Sequence, residues 1–272
     1  MRRAASHPSL LFVLICATLS GCASKLTPLP SGPGTPATDY ATAYSQATDR
    51  CQAVRTLRAS LGLSGRAGDN KLRGRIDAGF AAPGQIRLEG LPPIAFGRPV
   101  FILVGRGNDA TLVLPRDKRV LTNSAPEAII QALAGVALSP DELRAVVSGC
   151  GFGFAEPSGG RRYGADWMAL EGNGVTSWLR NSNGVWRLSA VIRPPLEIRY
   201  EEFASAHPSR IRIRTTPDGA AARADITLTV SDVDMNVPLE PEVFRVEVPD
   251  DAVPITIEDL RRAVPHAGAD KS

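Results

Sequence analysis

The sequence predicts a mainly β chain with a few helices (α+β). One strongly curved antiparallel sheet, an incomplete barrel of about eleven strands, is closed at one mouth by a helical lid. Three observations predict it. Short apolar–polar alternations recur from residue 72 to residue 230. Turn sequences separate them, and two helix-start signals interrupt them in mid-chain. A sheet of that many strands is expected to curl rather than stay flat and open.

The chain starts with a secretory signal over residues 1–21. Arg2 and Arg3 precede an apolar run from Leu10 to Leu19, and small residues follow. Leu19-Ser20-Gly21-Cys22 resembles the bacterial lipobox, in which cleavage leaves Cys22 as the first residue, acylated on its thiol and its amine. Each buried CH₂ adds about 0.8 kcal/mol and stable anchoring takes more than one chain, a requirement that a triacylated Cys22 meets. Ala23 and Ser24 follow it, not the aspartate that favours inner-membrane retention in Gram-negative cells. The expectation is therefore an outer-membrane anchor with the domain facing the periplasm. Residues 22–39, with Pro28, Pro30, Pro33 and Pro36, read as a tether reaching about 50 Å at most, at ~3.1 Å per residue.

The domain is expected over residues 40–264, with a tail at 265–272. Tyr44, Ala47, Cys51, Val54 and Leu57 recur at helical spacing. Leu72, Ile76, Ala78 and Phe80 then alternate with charged residues, as do Ile86 and Leu88. Val100 to Val104 is apolar on both faces, which predicts a strand covered on both sides. Residues 111–114 and 119–122 flank a turn and form a hairpin. Ser124 with Glu127 has capping-box spacing before a helix, and Ser139, Pro140 and Glu142 start another that ends at Gly149.

Strands resume at residues 166–170 and 175–180. Asn183-Gly184 is a strong hairpin turn, and after it Trp186, Leu188, Ala190 and Ile192 share one face by alternation. Leu196, Ile198 and Tyr200 alternate with charges, and Ile211 and Ile213 lie between Arg210, Arg212 and Arg214, a ladder expected on a solvated face. A turn is expected at Pro217-Asp218-Gly219. Ile226, Leu228 and Val230 follow, and the apolar phase slips to Val233 and Met235, which predicts a β-bulge near Ser231. Residues 243–248 and 254–257 are expected to close the sheet before a last helical turn at 258–264.

Composition excludes several classes. Without the signal the chain is nearly charge-balanced, with no basic footprint of a nucleic-acid binder, and no second apolar run approaches the roughly 20 residues of a membrane span. His207 and His266 lack the cysteines or carboxylates a zinc site needs, so no metal and no cofactor is expected. The glycines around Arg106 and from Gly149 to Gly153 lack the strand-to-helix context of a phosphate loop. Asp232-Val233-Asp234 departs from a calcium loop where Val237 and Val243 replace its Gly and closing Glu. An enzyme is not expected. Cys51 and Cys150 remain as an even pair in an oxidising compartment, which makes them a candidate disulfide; two buried free thiols are the alternative.

One loop is unusually apolar. In Leu91-Pro92-Pro93-Ile94-Ala95-Phe96-Gly97, the side chains of Leu91, Ile94 and Phe96 either form a partner or membrane contact or fold back on the core. From residue 86 to residue 149, the strand, this loop ending Phe96-Gly97, the next strand, the hairpin, the Ser-Ala-Pro-Glu helix start and Leu133-Ala134-Gly135 together resemble the LolA/LolB-like family. The pattern is closest to its outer-membrane lipoprotein receptors. The resemblance implies an incomplete barrel with a helical lid around an acyl-chain cavity, and gives Leu91, Ile94 and Phe96 a role in inserting lipoproteins into the membrane.

The partners it implies are acylated lipoproteins or lipid and a periplasmic LolA-like carrier, with Cys22 anchoring the chain to the membrane. Strand alternation nominates Ile76, Phe80, Leu88, Phe101, Leu103, Trp178, Trp186, Leu188 and Ile198 as cavity lining or plain core. The function expected is insertion of lipoproteins into the outer membrane. Binding of another lipid or glycolipid, and a scaffold filled by its own side chains, are the alternatives.

Overall fold

The computed structural model describes residues 27–92, 98–153, 156–205, 207–215 and 224–263. The expected signal, the lipobox with Cys22, Ile94 and Phe96, the turn at 217–219 and the C-terminal tail lie outside the described residues. The chain runs β1 (Thr35–Pro36), α1 (Tyr40–Gln52), β2 (Thr56–Ala67), β3 (Asn70–Ala81), β4 (Gln85–Leu91), β5 (Phe101–Arg106), β6 (Asp109–Leu114) and β7 (Arg119–Ser124). Helices α2 (Pro126–Ala134) and α3 (Pro140–Ser148) follow. Then come β8 (Gly159–Tyr163), β9 (Trp167–Gly172), β10 (Val175–Ser182), β11 (Val185–Arg193), β12 (Leu196–Ala204), β13 (His207–Thr215), β14 (Ala224–Met235), β15 (Val253–Pro254) and α4 (Ile257–Ala263).

Among the described residues, all fifteen strands join one sheet in the order β1-β8-β9-β10-β11-β12-β13-β14-β2-β3-β4-β5-β6-β7-β15. Every pairing is antiparallel except β15 on β7. The mainly β, curved-sheet class expected from the sequence holds, but eleven strands is too few. The helical spacing of Val54 and Leu57 hides the start of β2, since Leu57 pairs with Phe80 rather than continuing α1. Ser60, Gly62 and Ser64 then give β2 an outward face too small to read as a strand. β8 is short and opens on two glycines, and β1 and β15 are two-residue pairings that only tertiary contact creates.

The expected strand at 243–248 is instead a 3-10 turn, Pro241–Phe244, with irregular chain after it. Its apolar residues Leu239, Val243, Phe244 and Val246 bury against Ala81, Ile102 and Val104, on the convex face of β3–β5. This strap is what covers the second face of β5. Arg87 holds it by donating to the carbonyls of Val243 (3.2 Å) and Arg245 (3.0 Å).

Local signals explain most element ends. Ser139 and Glu142 form a reciprocal capping box on α3, whereas Ser124 does not cap α2, which begins one residue later, after Ala125. Asn183 and Gly184 both take positive φ (55° and 81°), the type I′ geometry that matches strand twist. The bulge expected near Ser231 is present as a register shift between Ser231 and Asp234. Gly135 ends α2 at φ 71°, and a Cβ there would meet the Ala67 Cβ at 3.3 Å, so glycine lets the helix end seat against β2.

A second register shift decides which residues face the core. Trp178 pairs with Ala190 but Leu179 pairs with Leu188, so β11 carries one extra residue at Ser189. Trp186 and Leu188 therefore point into the concave core, while Ala190 and Ile192 point out with Trp178. A shared face for all four, expected from alternation, is wrong for this reason.

The Pro-rich segment runs along the sheet. Leu29 packs on the outward cluster of Trp178, Trp167 and Tyr163, Thr35 and Pro36 pair with β8, and Asp39 forms an ion pair with Arg162 at 2.6 Å. The arginine ladder lies on the same convex face, where Arg212 makes two 2.7 Å hydrogen bonds to Asp225, and Arg199 pairs with Glu197. Arg212 holds the Asp225 carboxyl below the usual carboxylate range.

Candidate functional site

The concave face is covered by α1, α2 and α3, and α4 packs on α2 through Leu260. Tyr200, fully buried on β12, ties α3 down. Its hydroxyl donates to the Val146 carbonyl (3.1 Å) and accepts from the Gly151 amide (2.9 Å), while burial pushes its phenol above the ordinary range. Two of the cavities that remain under this cover meet at Arg193. The larger, about 690 Å³, lies at the end of α2. Ala132, Leu133 and Ala137 line it from the helical side, Pro195 and Leu196 from the β11–β12 turn, and Glu127, Gln131 and Arg261 add polar groups. A smaller one, about 210 Å³, lies between α1, Phe152 and β9–β11, with Tyr44, Leu170, Val175 and Leu188 in its wall.

Arg193 lines both cavities. Its guanidinium sits 4.1 Å from the Phe152 ring centroid and pairs with Glu142 of α3, so a charged partition separates two largely apolar spaces. Glu142 also accepts from the Ser139 amide at 2.9 Å. Burial alone raises the Glu142 pKa, but Arg193 and Ser139 outweigh it and hold the carboxyl below its ordinary value.

A depressed carboxylate contributes stability that is complete above the unfolded-state pKa, about 4.3, and is lost as pH falls through the lower folded value. Acid below about pH 4 should therefore loosen α3 from β11. Thermal unfolding followed from neutral to acid pH checks this: E142Q should flatten the acid limb, and an unchanged limb would reject the pair as its source.

The residues nominated from alternation divide in four. Phe80, Leu88, Leu103 and Ile198 are buried in the central cluster. Ile76 and Phe101 pack on its margin, where the Phe101 ring covers Gly90 so closely that a Cβ there would lie 2.4 Å from it. Trp186 and Leu188 border cavities, Leu188 that between α1 and β9–β11. Trp178 does not face the interior at all: β10 runs against β9 without a shift, and its alternation turns Leu179 inward and Trp178 outward. Leu91 is half-buried on the convex face and lines a groove there. Cys51 and Cys150 are joined with their Cα atoms 5.6 Å apart, and with Ala145 they clamp α1 to the end of α3.

Sequence reasoning missed Arg193, Phe152, Leu133 and Ala137. Only the capping box around Glu142 signalled that region, and nothing local pairs Glu142 with a residue 51 positions away. Among the described residues, no helix is long and apolar enough to cross a membrane, and no group of three His, Cys, Asp or Glu is placed to hold a metal.

No protein-family model and no curated protein matches the sequence. Among solved structures, a LolA superfamily protein from Nitrosomonas europaea aligns over 75% of this chain and 96% of its own, with a TM-score of 0.51 at 13% identity. The two chains share a fold. A DUF1329 family protein from Desulfovibrio piger covers the same shares at a TM-score of 0.48 and 10% identity. The LolA-type fold accounts for the curved sheet with helices across its concave face. The chain departs from the expected eleven strands in showing fifteen among the described residues, with the strap and α4 following β14.

Proposed function

We propose that this chain is an outer-membrane lipoprotein, anchored through Cys22 and facing the periplasm. It accepts acylated lipoproteins from a soluble LolA-like carrier and helps insert them into the membrane. The observation that carries the reading is the cavity of about 690 Å³ under the end of α2, walled by Leu133, Ala137, Pro195 and Leu196 and rimmed by polar groups. Cavities of that size and mixed lining are the usual form of a small-ligand site. An acyl chain in water costs about 0.8 kcal/mol per CH₂, so a carried lipid has to pass from one apolar compartment to the next. Transfer then runs downhill in affinity from carrier to receptor to bilayer. Phe96, in the apolar loop after Leu91, is the residue assigned to the final insertion.

The filled interior favours one other reading. Phe80, Leu103 and Ile198 have no measurable exposure, which is what a scaffold with no cargo requires. Native mass spectrometry of residues 23–272 recovered from the periplasm separates the two. Bound phospholipid or acylated peptide is expected, and an empty protein that also refuses added acyl chains would leave the scaffold. In a lipoprotein-insertion assay, F96E should abolish delivery to vesicles without changing thermal stability. Normal delivery by that variant would remove Phe96 from the mechanism.

A further inference from the structure

The convex face carries a further opening. A groove of about 670 Å³ runs across β14, β2, β3 and β4, with Arg73 and Arg75 on one side and Leu91 and Pro92 on the other. Gly62 leaves its floor without a side chain, and Ser64 and Thr229 offer hydroxyls. On β3 the inward set is Leu72, Ile76, Ala78 and Phe80, so Arg73 and Arg75, two residues apart, project together from the convex face.

Charge makes the groove distinctive. Several other arginines on this face are matched by acids: Arg212 with Asp225, Arg199 with Glu197, Arg58 with Asp234, and Arg87 with Glu89. Among the described residues, Arg73 and Arg75 are exposed and form neither an ion pair nor a hydrogen bond. The neighbouring acids are engaged, since Asp77 accepts from Ser60 at 3.0 Å and Glu89 pairs with Arg87. Arg66 and Lys71, at the adjoining hairpin, extend the positive strip. Two unmatched guanidiniums facing an apolar wall suit an anionic group that carries hydrocarbon beside it.

The tether ends on the same face. Thr27, the first described residue, gives its carbonyl to Arg199 on β12, and β12 is four strand spacings from β3, roughly 19 Å at ~4.8 Å each. Five residue steps separate Thr27 from Cys22, at most about 18 Å of chain. An acylated Cys22, within that reach of Thr27, would keep the convex face close to the bilayer that holds the anchor. That reach argument rests on the acylation proposed above; the groove does not.

We propose that the β2–β4 groove seats the headgroups of an anionic phospholipid surface, with Arg73 and Arg75 binding phosphate and Leu91 and Pro92 meeting the first part of the acyl region. It sets how the domain lies on the membrane, a role separate from cargo binding under α2. The test is flotation of residues 22–272 carrying C22S, which has no anchor, with vesicles of phosphatidylglycerol and phosphatidylcholine or of phosphatidylcholine alone. Binding is expected only to the first, weakening with salt. R73Q/R75Q should lower the partition coefficient about 30-fold, the loss expected for two basic residues near an anionic surface. R262Q, an exposed change on α4, should leave it unaltered.

Equal binding to both vesicle types, or equal losses in R73Q/R75Q and R262Q, would overturn the groove. Native mass spectra of the same variants still report acyl occupancy under α2, so a failure here is distinguishable from a failure of the transport reading.

Discussion

Replacing Cys51 and Cys150 together by alanine should lower stability by about 4–5 kcal/mol, the chain-entropy value for a loop of this length. The link joins residues 99 apart in sequence, which is why the expected effect is large. At roughly 2–4 °C per kcal/mol for a domain of this size, the melting temperature should fall by about 10–20 °C. The link also has a local consequence. Cys51 lies in the last turn of α1, and Cys150 follows Gly149, the left-handed residue that ends α3. Without it α1 is held mainly by β11 and the ends of neighbouring strands. The small cavity, which both Thr48 and Cys150 line, would lose one wall. Thermal unfolding of wild type with and without reductant, beside the double variant, checks both points. Reduced wild type and variant should coincide well below the oxidised protein, and three equal melting temperatures would show that the link contributes nothing.

Removing the chain beyond Val237 should be about as damaging. Phe244 and Leu260 are both almost fully buried, and burial of such side chains contributes about 1.5–3 kcal/mol each, so about 3–6 kcal/mol goes with these two alone. The truncated chain also exposes Ile102 and Val104 on the convex face, frees the edge of β7 and strips α4 from α2. It should bind a hydrophobic dye strongly and unfold at a lower denaturant concentration. L260A separates the contributions: it keeps the strap in place and should cost about 2–5 kcal/mol through the core under α2. A truncated chain that unfolds where wild type does would make the strap a passive tail.

These two regions differ in how they can be read. The two cysteines were legible as a pair, because the lipobox removes the other two from consideration and leaves an even number in an oxidising compartment. The strap was legible only as apolar alternation, and alternation says that a segment has one buried face without saying what buries it. Residues 243–248 satisfied the pattern by lying on a sheet face rather than joining an edge. Trp178 shows the same limit at one position: a single extra residue in β11 turned Ala190 and Ile192 outward to join it, and no local signal at Ser189 announces that residue. In the candidate site, Glu142 was visible as a capping residue, yet its pairing with Arg193 and the stacking of Arg193 on Phe152 join distant segments.

By itself, the sequence determined the class of this protein: a curved antiparallel sheet, two mid-chain helices, the Asn183-Gly184 hairpin turn and the bulge after Ser231. Each of those follows from residue types within a few positions of one another, through caps, turn dihedrals and the two-residue period of a strand. Tertiary structure alone decided the fifteen-strand order, the strap over β3–β5, the path of residues 27–39 along the sheet, and the placement of Arg193 between two cavities. It also left Arg73 and Arg75 without partners while their neighbours on the same face found them. The reason is physical. Local geometry fixes what a segment is, but which surfaces meet is set by burial and charge pairing between segments far apart in the chain, and those terms have no period to read.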